Sequence, residues 1–338
     1  MPDGFSVRFY PCGPWRIGPL SGSPDCAEVL LHSDAVYSAV THAMNLLGLL
    51  RDWLDAVFEN PRGPAVRFSS LFPFRRRTLF VPPPRSLWPP APSPKVRWKG
   101  ARFVPLSFAQ SLIEQKPLEE DAWVVEGESQ CVVPAEDPVG PFRLALRSFV
   151  AVDRLGAGVE PHRAACLEFR PDAGFWGGIR FASEEASQHW SGPVQAALRL
   201  LGDSGIGGNR SLGWGHASSV EFDADPFAGW PNPEAQFHEE RTPRSECNWW
   251  FLSVFNPAPE DTVAWDRGRY DLLVRSGRVA SAAAQGAVKR AARMVSEGSV
   301  LACEDPPRGR ALNVAPPECP HPVYCAGYAY AQPLPVNP

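Results

Sequence analysis

At 338 residues the chain has room for roughly two domains, and its 44% hydrophobic content can supply real cores. A net charge of −4 excludes a polycation of the histone kind, so any contact with nucleic acid must rest on local positive charge. Eight cysteines without a Cys-x-x-Cys pair support neither a zinc ribbon nor a dense disulfide framework, and most read as buried thiols of a reducing cytoplasm.

Phe5 to Tyr10 alternates apolar and polar residues, the pattern of a half-buried first strand, and nothing from Met1 to Tyr10 resembles a secretory leader. Val36, Val40, Ala43, Met44 and Leu47 then recur at helical spacing, predicting one helix from Ser33, its N-cap, to about Phe58. Thr41, His42 and Asn45 interrupt the most apolar run, Ala35 to Leu50, which falls short of the roughly 20 residues of a membrane span. His32 reads either as a helix-entry histidine bonded locally or as a general base. His42 lies about 80° round the helix from it, so the two share no face.

Arg62 to Arg102 is the most uneven stretch in charge. It holds ten basic residues, and no acid lies between Glu59 and Glu114. Arginines dominate throughout, 29 against four lysines, so position says more than number. Phe68, Phe72, Phe74, Phe80, Trp88, Trp98 and Phe103 are interleaved with these cations, either as stacking surfaces for unpaired bases or as core residues under a solvated loop. The prolines from 82 to 94 predict an extended insertion. An acidic region from Glu114 to Glu128 follows. Cys166 to Phe169 and Phe175 to Phe181 read as two strands, and Val194, Ala197, Leu198 and Leu201 place a helix over Pro193 to Leu201.

Directly after that helix comes Gly205-Ile206-Gly207-Gly208-Asn209-Arg210-Ser211-Leu212-Gly213-Trp214-Gly215, with five glycines around one arginine. The dinucleotide fingerprint needs a glycine where Arg210 stands and a helix after the loop, and a Walker A loop needs Lys-Ser or Lys-Thr after Gly213. Neither fits. The loop reads either as a backbone cradle for phosphate or as a helix C-cap with a tight turn into the strand Ala217 to Phe222. Trp214 is either a base-stacking or a core residue.

This element order predicts an α+β fold, a ferredoxin-like, RRM-like βαββαβ unit over residues 1–222 with its insertion around 81–145. Residues 223–247 read as a linker. Trp249 to Phe255, Tyr270 to Arg275, a helix from Ser281 to Val295 stopped by Gly298, and short strands around Val300, Val314 and Val323 to Ala331 predict a second, tandem ferredoxin-like unit over 248–338. Cys319, His321 and Cys325 make at most a partial metal site, and no metal or cofactor is expected.

The glycine loop at the end of such a unit resembles that of the RAMP proteins, the RNA-binding subunits of CRISPR effectors. With His32 to Ala39, Phe68 to Phe74, Tyr270 to Val279, Glu297-Gly298-Ser299 and His321-Pro322-Val323, the chain is similar to subunit four of the type III-A (Csm) complex, the Cas-five group. The resemblance implies a crRNA-binding scaffold with no catalytic centre. Such a subunit anchors and caps the 5′ handle beside the large signalling subunit and the backbone RAMP subunits, in the cytoplasm, without membrane or small-molecule substrate. The RNA-binding residues expected on this reading are Gly205, Gly207, Gly208, Asn209, Arg210, Ser211, Gly213, Trp214, Gly215, His32, Ser33, Arg75, Arg76, Arg77, Arg147 and Arg154, with Arg275 and Arg278 as further cations. The alternatives are a metal-independent crRNA-processing ribonuclease drawing on His32, Tyr37, His42, His162 and His216, and the equivalent type III-B subunit.

Overall fold

The structure, a computed structural model, describes residues 4–19, 21–91, 96–152, 156, 158–228, 230 and 247–335. The first strand, β1 (Gly4–Pro11), buries Phe5, Val7 and Phe9, as its alternation predicts. The expected long helix is two, α1 (Ser33–Leu46) and α2 (Leu50–Val57). Gly48 turns the chain between them at φ +77°, a conformation that glycine adopts without a Cβ clash. Ser33 is the first helical residue rather than the cap, and its hydroxyl accepts the Val254 N–H at 3.1 Å. A contact from 221 residues away has claimed the side chain that the local pattern assigns to capping.

The strands β2 (Val66–Phe68), β3 (Phe72–Arg75), β4 (Thr78–Val81) and β5 (Val104–Pro105) follow, then α3 (Leu106–Ile113) and the hairpin β6 (Trp123–Glu126) and β7 (Cys131–Pro134). A long hairpin of β8 (Phe142–Val152) and β9 (Val159–Phe169) leads into β10 (Ala173–Phe181), α4 (Glu184–Ser204) and β11 (Ala217–Ala224). The main sheet runs β11-β1-β10-β3-β4-β5, with β2 also on β10, and every pairing in it is antiparallel. The elements β1, α1, β2 with β3, β10, α4 and β11 therefore succeed one another in the expected βαββαβ order.

Helix α4 begins nine residues before Pro193. The Ser183 hydroxyl caps it by accepting the Ala186 N–H at 3.1 Å, and Glu184 and Glu185 lie in its first turn, where carboxylates favour the helix dipole. Burial of Ser187 and Trp190 on the same face as Val194 and Leu198 fixes this earlier part, outweighing the proline as a helix start.

The insertion is folded rather than extended. Trp88, Trp98, Phe108 and Trp123 form an aromatic cluster with centroids 5.4–6.1 Å apart. Phe68, Phe72, Phe74, Phe80 and Phe103 are fully buried. These five phenylalanines and Trp98 are core rather than stacking faces for a base.

The C-terminal region contains β12 (Cys247–Phe251), β13 (Val263–Arg269), β14 (Leu272–Arg275), β15 (Ala292–Val295), β16 (Val300–Cys303), β17 (Gly309–Asn313), β18 (Tyr324–Tyr328) and β19 (Ala331–Leu334). Its sheet runs β13-β16-β12-β19, flanked by the hairpins β14-β15 and β17-β18. The helix expected over 281–295 is a single 3-10 turn, Ala282–Ala284, followed by strand β15. Ala292 and Met294 point inward and Arg293 outward, a period of two that the alanine-rich stretch hides, because small apolar residues satisfy both periods. With no α-helix among the described residues after Ser204, this region is all β and does not repeat the βαββαβ order.

The two regions share one core. Trp250, Leu252, Val300, Tyr328, Tyr330 and Leu334 cluster with Val7, Tyr37 and Trp176. Most of the expected linker, residue 229 and residues 231–246, lies outside the described residues, but its start is anchored, since Phe227 is buried against Trp176 and Tyr330. No helix among the described residues is long and apolar enough to cross a membrane.

Candidate nucleic-acid interface

The glycine loop leaves α4 at Gly205, where φ is +84°. Asn209 takes the left-handed conformation, Arg210–Leu212 forms one 3-10 turn, and Gly213 is left-handed again. The loop is braced by the segment after β1. The Gly208 N–H donates to the Arg16 carbonyl at 2.8 Å and the Gly215 N–H to the Pro14 carbonyl at 2.9 Å. A Cβ on Gly207 would stand 2.3 Å from the Arg16 oxygen, and one on Gly215 2.1 Å from the Ile206 oxygen, so these glycines are required by close backbone approach. Arg16 is itself fixed by donating to the Ala165 carbonyl at 2.7 Å and to Ser23 and Pro24.

This bracing takes three amides out of the backbone cradle that the loop was expected to offer. The N–H groups of Gly208, Leu212 and Gly213 are bound to protein carbonyls. What the loop offers outward is its tip: Arg210, Ser211, Leu212 and Gly213 are all exposed. The Arg210 side chain has no ion pair among the described residues. Trp214 is buried against Ala164, Cys166 and Phe149, with the Phe149 ring centroid at 5.5 Å. It pins the loop to the β8-β9 hairpin rather than offering a stacking face.

That hairpin carries the next cations. Arg143 and Arg147 share the single carboxylate of Glu168, Arg143 Nη2 at 2.8 Å and Arg147 Nε at 2.8 Å. First Arg143, then Arg147, holds the Glu168 carboxyl below its usual range. Two half-exposed guanidiniums to one carboxylate leave a net positive charge on this face. Arg154, expected nearby, lies outside the described residues.

Arg75 and Arg76 repeat the arrangement on Asp137, at 2.8 and 3.3 Å, and Arg76 stands at φ +53°. Arg77 is exposed and has no ion pair among the described residues. Farther along, Arg85 meets Asp271, Arg97 meets Asp121, and Arg102 meets Glu28. The stretch from Arg62 to Arg102 is free of acids in sequence but not in space, because the fold supplies carboxylates from elsewhere in the chain.

His32 and Ser33 belong to the junction between the two regions. His32 Nδ1 lies 2.8 Å from Glu297 Oε1, and the Ser70 hydroxyl donates to the same oxygen. Burial works to raise the Glu297 pKa, but the charge and hydrogen bonds of His32 and Ser70 outweigh it and bring the carboxyl down to about 2. Beside this pair, Asp34 receives Arg275 Nε at 2.9 Å. Arg275, expected as an RNA cation, is thus a part-buried group paired with Asp34. His32 lines a cleft of about 450 Å³ together with Arg85, Trp88, Arg102 and Asp271.

The other titratable candidates are dispersed. The Tyr37 hydroxyl donates to the Val66 carbonyl, and burial raises its pKa. His42 is exposed, and His162 stacks on Phe149. His216 sits behind Gly205. No two of these five groups form a hydrogen-bonded pair among the described residues. Cys325 faces Asp34 while His321 bonds Ser281, and no group of three metal-ligating side chains occurs among the described residues. Glu297 and Arg16 are the residues that sequence reasoning passed over, and only the Glu297-Gly298-Ser299 motif hints at either.

Residues 245–334 match the family model described as the CRISPR Csm4 C-terminal domain. Over its whole length the chain is similar in fold to a chain of the crystal structure of the Csm3-Csm4 subcomplex in the type III-A CRISPR-Cas interference complex, with TM-score 0.66, 16% identity, and 99% of this chain and 100% of that one covered. Similar likenesses hold for the Csm1-Csm4 cassette in complex with pppApA, TM-score 0.59, 16% identity and coverage of 99% and 98%, and with cA4, TM-score 0.58, 17% identity and 99% of both chains. No curated protein matches the sequence.

Proposed function

We propose that this chain is the Csm4 subunit of a type III-A effector, a non-catalytic scaffold that holds the crRNA 5′ handle beside the large subunit and the backbone RAMP subunits. The observation that carries this reading is the Csm4 C-terminal domain in a chain that shares its fold, end to end, with chains of Csm4-containing complexes. The βαββαβ order of residues 1–222 supports a ferredoxin-like RAMP unit there, with 248–338 as an all-β region that shares its core.

The RNA-facing set centres on the tip of the glycine loop, Arg210 and Ser211, with Arg77, Arg143 and Arg147 as neighbouring cations for phosphate. Gly205, Gly207, Gly208, Asn209, Gly213 and Gly215 shape that tip. The scaffold role is supported by the fate of the histidine and tyrosine candidates. His32 is held by Glu297 and the Tyr37 hydroxyl by the Val66 carbonyl, and no two of the five candidates are hydrogen-bonded to each other among the described residues to share acid and base work.

Filter binding of a handle oligonucleotide across salt tests the reading. Arg210→Ala is expected to weaken binding by about 1–3 kcal/mol and to lower the salt slope by about one. Unchanged affinity and slope in Arg210→Ala and in an Arg143→Ala/Arg147→Ala variant would sink the loop assignment.

A further inference from the structure

Residues 272–296, which form β14, β15 and the loop between them, contain Arg275, Arg278, Lys289, Arg290 and Arg293 but no aspartate or glutamate. Arg275 is spent on Asp34. The other four have no carboxylate partner among the described residues, and Arg278 and Arg290 bond to the backbone carbonyls of Gly286 and Asn313. This sets the hairpin apart from the stretch of Arg62 to Arg102, whose arginines 75, 76, 85, 97 and 102 are matched by carboxylates.

Alternation on the hairpin turns Leu273, Ala292 and Met294 inward to a small core with Val254 and Val314. Leu272, Val274 and Arg293 face outward, with Leu272 52% and Val274 44% exposed. Beside them opens a groove of about 340 Å³, walled by Phe255, Pro257, Trp265, Tyr270, Leu272 and Arg293. Trp265 is 40% exposed, and its ring meets that of Tyr270 edge-on at 5.2 Å. An aromatic-walled hollow with arginine at its rim is the anatomy of an interface hot spot.

We propose that this groove is a protein-docking site. The partner seats an apolar side chain between Trp265 and Leu272 and lays a carboxylate against Arg293 at the rim, with Lys289 and Arg290 preceding it in the chain. Complementary charge argues for an acidic partner surface, because the hairpin offers four cations and no counter-charge of its own. Aliphatic Leu272, Val274 and Val288, all exposed, offer no face on which bases stack, which favours protein over RNA. The proposal rests on the reading of the chain as a subunit of an effector complex.

The test uses the full chain co-expressed with the other subunits of its complex and crRNA. Native mass spectrometry follows assembly, and filter binding of the handle oligonucleotide follows RNA affinity. Arg290→Glu/Arg293→Glu and, separately, Trp265→Ala are expected to weaken retention of a protein neighbour by about tenfold or more, with melting temperature and handle affinity as in wild type. Arg293→Lys, which keeps the charge, is expected to retain most of the assembly. Full assembly by both disrupting variants would overturn the docking site and leave the RNA reading intact. Handle affinity falling in parallel with assembly would reassign the hairpin to RNA and overturn it too. A wild-type chain that assembles with no protein subunit would overturn the effector reading and this proposal together.

Discussion

Glu297 shows what a single side chain does at the junction. Its buried carboxylate accepts from both His32 and Ser70, and a buried acceptor removed from two donors leaves both unsatisfied. Glu297→Ala is therefore expected to cost about 3 kcal/mol, read by urea denaturation at neutral pH. The pH dependence has a definite sign. The folded carboxyl sits at about 2, below its ordinary 4.5, so its contribution is complete above that ordinary value and is lost as pH falls through the window down to about 2. Wild type should lose stability between pH 5 and 3 more steeply than Glu297→Gln. Parallel curves for the two proteins would show that the carboxylate is not the stabilising group.

At the scale of elements, the glycine loop separates two uses of glycine that look alike in sequence. Gly207 is held against the Arg16 carbonyl, whereas a Cβ on Gly213 meets nothing within 4 Å. Both stand at positive φ, +91° and +80°. Gly207→Ala is expected to destabilise by the left-handed strain and the backbone clash together, about 3 kcal/mol, and Gly213→Ala by the strain alone, about 1 kcal/mol. Chemical denaturation of the two variants checks the difference, and equal losses would contradict the bracing by Arg16. The same contrast explains what was legible beforehand. Elements whose signal is local, such as β1 with its alternating Phe5, Val7 and Phe9 and the glycine turn after α4, stand close to where periodicity puts them. The features that escaped depend on distant partners. Val254 takes the Ser33 hydroxyl, Asp137 neutralises Arg75 and Arg76, and the pairing of Arg275 with Ala292 draws the alanine-rich segment into a strand. In the site, the exposure of Arg210 was readable from its glycine surroundings, while the burial of Trp214 needed the β8-β9 hairpin that packs on it.

For the molecule as a whole, the decisive fact is that the main hydrophobic core crosses the boundary between the βαββαβ region and the all-β C-terminal region. Trp250 and Tyr330 are buried in the same cluster as Phe9, Val40 and Trp176, and the buried pair His32 with Glu297 and the part-buried pair Asp34 with Arg275 bridge the same boundary. Regions joined through a dry core lose it together, so the chain is expected to unfold in one cooperative transition, with calorimetric and van't Hoff enthalpies equal. Trp250→Ala removes a fully buried ring from that shared core, which costs about 3–5 kcal/mol. The loss should appear as a downward shift of the single transition. If differential scanning calorimetry instead resolved two transitions, with only one of them moved by Trp250→Ala, the C-terminal domain would be an independent folding unit. The junction would then act as a contact between preformed domains, and Glu297→Ala would be expected to loosen that contact without unfolding either side.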